Sequence, residues 1–269
     1  MQAFNIQYVA HHAIDKEKWD TCLGNAANGL VYGYSFYLDH MAKAWDGLVL
    51  NDYEAVMPLT WNKKYGIYYL YQPFLCAQLG LFGKNINAEM LNAFLKSIPQ
   101  KFKYWDISLN HQNVFPLLAM DVYQRSNYIL NLDNTYDGLY KNYSENIQRN
   151  IRKAEQAGCK AIKDFDAEKV IELALQQMER QNTGTIENLY RFRKLYSYLH
   201  KEQKAITYGI VSSTGELLAS CIFFFSHHRA YYILVGNHPE GRTLGASHAL
   251  IDAFIKDHAG KKLTLDFEG

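Results

Sequence analysis

A helix and a strand each occur twice in this chain, 160 residues apart. Met90, Leu91, Phe94 and Leu95 return as Leu250, Ile251, Phe254 and Ile255 (250 − 90 = 160), and Asp106 returns as Asp266 (266 − 106 = 160). Upstream, Tyr68-Tyr69 returns as Tyr231-Tyr232 and the Asp52 turn as Gly215, at an offset of 163 (215 − 52 = 163), so the connection between them absorbs three residues. Four matches in order point to a duplicated unit. Residues 134–269 are therefore expected to repeat what residues 1–133 build, each half large enough to bury its own core.

The order of elements within the repeat is readable. Asn5 to Val9 predicts a strand, Lys16 to Cys22 a helix start, and Phe36 to Trp45 a second helix. A hairpin spans Gly47 to Trp61 around Asn51-Asp52, and Ile67 to Tyr71 is a strand. Asn87 caps a helix, and Tyr104 to Leu109 closes the unit. In the second half, Leu139, Tyr143, Ile147, Ile151 and Ala154 form a helical stripe that stops at Gly158. Strand Cys159 to Ile162, helices Glu168 to Gln181 and Ile186 to His200, and strands Ile206 to Val211 and Leu217 to Phe225 follow. The first half runs on after Asp106 through Val122 to Leu132, where two more strands are expected, whereas only three residues follow Asp266. The second sheet is thus expected to be incomplete at its C-terminal side, with an open edge near Asp266.

The stretch from Ala230 to Gly269 carries the chemistry. A β-rich run, Tyr231 to Val235, meets a polar segment with Asn237, Pro239 and Gly241, and an amphipathic helix and a strand follow. Such a loop gathers free amides and a helix N-terminus, which suits a pyrophosphate. Its residues Gly241, Arg242, Thr243, Leu244, Gly245, Ala246 and Ser247 resemble the R-x-x-G-x-[G/A] signature of acyl-CoA-binding GNAT acyltransferases, with Ser247 departing from the last position. The element order, seen twice, resembles the tandem-GNAT architecture of Fem-type aminoacyltransferases. YSENIQRNIRKAEQAG, Tyr143 to Gly158, and the terminal LTLDFEG are similar to the opening and the fifth strand of the second domain in those proteins.

The resemblance implies an α/β (α+β) fold of two tandem GNAT-like domains, with mixed central sheets flanked by helices. It implies an N-acyltransferase that moves an acyl group from acetyl-CoA or another acyl-CoA to a small-molecule or peptide amine. Leu234, Val235 and Gly236 would lie beside the acyl group and Gly241 to Ala246 beneath the pyrophosphate. Met178, Arg180 and Gln181 fall where related proteins line the acceptor groove. The first half, with YQPFLCAQLGLFGKN in place of the loop, is expected to bind no cofactor and to form a wall of the acceptor cleft. The alternatives are a Fem-type peptidyltransferase that takes its donor from aminoacyl-tRNA, and a degenerate pair that binds without catalysis.

Removing the amine proton needs a base. Strand alternation places Asp266 and Glu268 on one face, and a carboxylate with a raised pKa there suits the task. His238, just before the loop, has the right intrinsic pKa. Arg149, Arg152 and Lys153 are positioned on a helix to meet a phosphate-bearing substrate or tRNA, although glutamates interleave with them. His11-His12 and His227-His228 lack metal-ligand spacing, so no metal is expected.

Composition excludes little else. A net charge of +1 gives no global attraction to nucleic acid or an anionic membrane. Cys22, Cys76, Cys159 and Cys221 form no C-x-x-C pair and read as reduced thiols. No leader or membrane-spanning run is apparent, so a cytoplasmic protein is expected.

Overall fold

The computed structural model describes residues 4–115, 122–180 and 186–268. The chain divides into two compact units, Met1–Arg125 and Ser126–Gly269.

The first unit runs β1 (Ile6–Val9), α1 (Lys16–Asn25), α2 (Ser35–Met41), β2 (Ala44–Leu50), β3 (Ala55–Lys64), β4 (Ile67–Tyr71), β5 (Phe82–Gly83), α3 (Ala88–Lys96) and β6 (Phe102–Asp106). Its sheet has the order β1-β2-β3-β4-β6, with β5 on β3. Among these strands β4 and β6 pair in parallel and the other pairs are antiparallel. Asn87 accepts a bond from Met90 N at 2.9 Å and starts α3 as expected. Trp45, expected at the end of a helix, lies in β2 instead: α2 ends at Met41, and Trp45 pairs with Thr60.

The second unit runs β7 (Ile129–Asn131), α4 (Tyr136–Tyr140), α5 (Glu145–Gln156), β8 (Lys160–Lys163), α6 (Ala167–Arg180), α7 (Ile186–Lys201), β9 (Ala205–Val211), β10 (Leu217–Ser226), β11 (Arg229–Asn237), α8 (Pro239–Leu244), α9 (Ala246–His258) and β12 (Thr264–Asp266). The sheet order is β7-β12-β11-β10-β9-β8. Its core joins Phe223 and Phe254, whose rings stack at 3.8 Å, to Leu250, Ile255 and Leu265. Burying each such side chain contributes roughly 1.5–3 kcal/mol.

The repeat holds in topology. Strands β1, β2, β3, β4 and β6 correspond to β8, β9, β10, β11 and β12, with the same antiparallel and parallel pairings. Phe94 and Leu95 are buried on α3 as Phe254 and Ile255 are on α9. The offsets are less uniform than the sequence indicates. Two-residue turns, Tyr65-Gly66 and His227-His228, put Ile67 where Arg229 stands (229 − 67 = 162), so Tyr69, not Tyr68, matches Tyr231. In the parallel ladders Asp106 faces Tyr71 and Asp266 faces Tyr231, two residues out of step with that turn.

The second sheet has no open edge at Asp266. Ile129–Asn131, expected to extend the first sheet, pairs antiparallel with β12, placing Ile129 opposite Asp266. A three-residue strand whose outer residues are exposed has too little alternation to reveal its partner.

Candidate active site

The candidate site lies where the β11–β12 ladder ends. Their parallel ladder covers Arg229↔Thr264, Ala230↔Leu265 and Tyr231↔Asp266, and then β12 ends. Strand β11 continues to Asn237, paired on its other edge with β10. Within that run Ile222 faces Leu234 and Phe223 faces Tyr232, leaving Ile233 as an extra residue. This bulge resets the alternation. Tyr232 and Val235 both pack on the α9 side of the sheet, whereas a Cβ on Gly236 would lie 2.7 Å from Ala174 N of α6. Leu234 is buried and Val235 half-buried, and Gln177 of α6 accepts from Asn237 N at 2.9 Å to close the strand end.

Glu268 stands two residues past the end of β12. Its Oε1 is shut off from solvent, and burial raises the carboxyl from 4.5 to about 8. Its backbone is left-handed, with φ 69°, so the alternation expected to align it with Asp266 does not extend to it. Asp266 itself is not available as a base. Its carboxylate accepts from Arg229 Nη1 at 2.5 Å, Asn127 Nδ2 at 3.0 Å and Glu268 N at 3.0 Å, and the residue is fully buried. His238 is likewise occupied. It is the N-cap of α8, its Nδ1 accepting from Glu240 N at 3.3 Å while Nε2 lies 3.5 Å from Glu216 Oε1.

The expected open loop is a short helix. Gly241 N donates to His238 O and Gly245 N to Arg242 O, so these amides are bonded within the segment. Gly245 has φ 76°, and a Cβ there would lie 2.4 Å from Asn150 O of α5. A Cβ on Gly241 would lie 2.2 Å from Leu218 O. Both glycines are thus required by close packing against backbone rather than by an approaching ligand, and both are buried. Ala246 is buried and Leu244 half-buried; Arg242 and Thr243 are exposed. Ser247, the departure from the signature, donates from Oγ to Asn237 Oδ1 at 2.6 Å and ties α9 to the end of β11.

Of the expected acceptor residues, Met178 is half-buried on α6 and Arg180 is its last residue, while Gln181 lies outside the described residues. Sequence reasoning missed Arg229 and Asn127. Arg229 sits two residues before the Tyr231 that marks the motif, and Asn127 is 139 positions from its partner. Among the described residues no group of His, Cys, Asp or Glu side chains is arranged to hold a metal, and no helix is long and apolar enough to cross a membrane.

This arrangement defines an α+β domain in which a bulged strand, β11, runs on past the end of its parallel partner β12. Residues 141–268 match the family model described as an acetyltransferase (GNAT) domain, so the second unit carries a GNAT-type acyltransferase domain. Over the whole chain the structure is similar to that of FemX, with a TM-score of 0.65 at 15% identity, covering 98% of this chain and 88% of that one. It is also similar to a conserved protein of unknown function from Bacteroides thetaiotaomicron, with a TM-score of 0.55 at 9% identity and coverage of 98% and 90%. Those likenesses establish the fold, two mixed sheets flanked by helices in tandem GNAT-like halves. No curated protein matches the sequence.

Proposed function

We propose that the second unit is an N-acyltransferase that works at the parting of β11 and β12, with acyl-CoA as donor and an amine as acceptor. The observation that carries this reading is the buried Glu268 carboxyl, held at a pKa of about 8 just past the point where the ladder ends. A carboxyl of ordinary pKa is a poor base for an ammonium; one near the working pH takes the proton far more effectively. The bulge at Ile233 supplies the second requirement, since an unpaired strand residue leaves backbone donors for a developing oxyanion. A bound thioester supplies the electrophilic carbonyl. The amine nitrogen attacks its carbon, the C–S bond breaks, Glu268 receives the amine proton, and the thiolate departs.

The pyrophosphate fits this segment only in part. Gly241, Gly245 and Ala246 are committed to packing, so Arg242 and Thr243 are the exposed residues left to meet the phosphates. That observation favours a second reading for the donor. An aminoacyl-tRNA needs phosphate contacts over a wider surface, and Arg149, Arg152 and Lys153 are exposed on α5, which packs against α8 and α9. Glu145 and Glu155 on the same helix weaken that surface.

Thermal denaturation with acetyl-CoA, free CoA and aminoacylated tRNA separates the donors, because a ligand of the folded state raises its melting temperature. Stabilisation by acetyl-CoA supports the first reading. Stabilisation by tRNA alone transfers the donor role to the second, and stabilisation by none contradicts both.

A further inference from the structure

Asp266 has no need to be charged and buried for the strand to form. Asp106 likewise ends the parallel ladder of the first sheet, opposite Tyr71, and is exposed. Burying a carboxylate is costly unless every lone pair is met. At Asp266 that cost is offset by three donors on one side chain: the Arg229 guanidinium from β11, the Asn127 amide from the segment ahead of β7, and the Glu268 backbone amide. Asp266 is 1% exposed and Arg229 14%.

The third donor is the informative one. Glu268 holds φ 69°, a conformation that costs a non-glycine residue free energy and persists only where the surroundings over-determine it. An aspartate accepting from the amide two residues on makes the local turn that holds such a backbone. The intervening amide, Phe267 N, donates to Tyr128 O at 3.0 Å, so the residues flanking Asn127 and Asp266 are laced together at two successive positions. Asn127 also bears a cost for this contact: with Nδ2 given to Asp266, its buried Oδ1 has no partner among the described residues.

We propose that Asp266, fixed by Arg229 and Asn127, is a positioning residue that sets the backbone of Glu268 and so places its carboxyl at the mouth of the β11–β12 opening. The segment ahead of β7, remote in sequence, thereby controls the geometry of the base. This inference rests on the assignment of Glu268 as base.

Replacing Asp266 changes a charge beside Glu268 and is therefore ambiguous. Asn127→Ala and Arg229→Lys leave every charge in place. The ionisable side chains on β11, on the end of β12 and on the segment ahead of β7 are Arg229, Tyr231, Tyr232, Asp266, Tyr123, Arg125 and Tyr128, and neither variant alters their formal charges. The titration of the Glu268 carboxyl, followed by carbon NMR in protein labelled at glutamate Cδ, reports its placement without any substrate. Both variants, checked by circular dichroism, are expected to move the Glu268 midpoint toward that of an ordinary carboxyl by at least about one pH unit, as the side chain leaves its buried seat. The rate of acyl transfer should fall about tenfold or more with little change in donor KM, and Asn127→Gln should recover part of both effects. Unchanged Glu268 midpoints in two folded variants overturn the positioning role. Shifted midpoints together with full activity in Glu268→Gln would leave the positioning role standing and refute the base.

Discussion

The two sheets share one topology and end their parallel ladders differently. Past Asp106, the first unit is stitched to its own loop: Gln72 Oε1 accepts from Ser108 N at 3.0 Å, Leu79 N donates to Ser108 O at 2.8 Å, and Leu79 bridges Leu109. Behind this, Asn28, Asn110 and Asn113 gather around Leu81 O in a buried amide cluster. Past Asp266, the second unit spends its polar groups on a single turn that holds a buried acid. One duplicated framework thus carries either a fastening or a candidate reaction centre, and the difference lies in which side chains meet the last ladder pair.

The largest expected effect sharpens this contrast at two glycines with similar backbones. Gly245→Val combines a left-handed φ with a Cβ set against Asn150 O, so the second unit should fail to fold stably. Gly66, with φ 82° and nothing within 4 Å of its Cβ position, should tolerate alanine at a cost of about 1 kcal/mol. Denaturation curves of the two variants check this; a stable Gly245→Val would mean that α8 is not held as described.

Next come the paired aspartates. Asp266→Ala strands the Arg229 charge and should cost about 3–5 kcal/mol. Asp106→Ala, at an exposed position, should stay within about 0.5 kcal/mol. Equal losses would erase the distinction between the two ladders. In the first unit, Asn28→Ala leaves Gly83 N and part of the demand on Leu81 O unmet and should cost about 1–3 kcal/mol without altering acyl transfer.

The last contrast is one of pH. Between about pH 4.5 and 8 the folded protein keeps a proton on Glu268 that the unfolded chain has released, so this residue's contribution to stability falls as pH rises through that window. The Glu268→Gln variant should lack that part of the decline. Its melting temperature should exceed that of wild type above pH 8, by roughly 2–4 °C for each kcal/mol recovered, and match it near pH 4.5. A decline of equal slope in both proteins would place the titrating group elsewhere.

Much of the framework was legible because it rests on periodicity. The α3 and α9 stripes, the hairpins and the end of α5 at Gly158 follow from spacings of 3.6 and 2 and from one left-handed glycine. The partner of strand β7 was not legible, since it lies in a ladder with residues more than 130 positions away. Pro239, Gly241 and Gly245 read as an open loop because those residue types serve turns and tight helix packing alike. In the sequence Glu268 and Asp266 are alike two acids on one strand face, and no spacing tells them apart. Asp266 was misread as its equal because sequence shows the letter shared with Asp106 and not the arginine and asparagine that surround it.

The role of Glu268 is tested most directly by the rate of acyl transfer in Glu268→Gln, with acetyl-CoA as donor and a panel of amines as acceptors. The variant should bind the donor as wild type does and show the same circular dichroism. Its rate should fall by about 10²–10⁴, and the wild-type rise in rate through about pH 8 should vanish. A folded Glu268→Gln protein that transfers at the wild-type rate, with the same pH profile, would contradict the account.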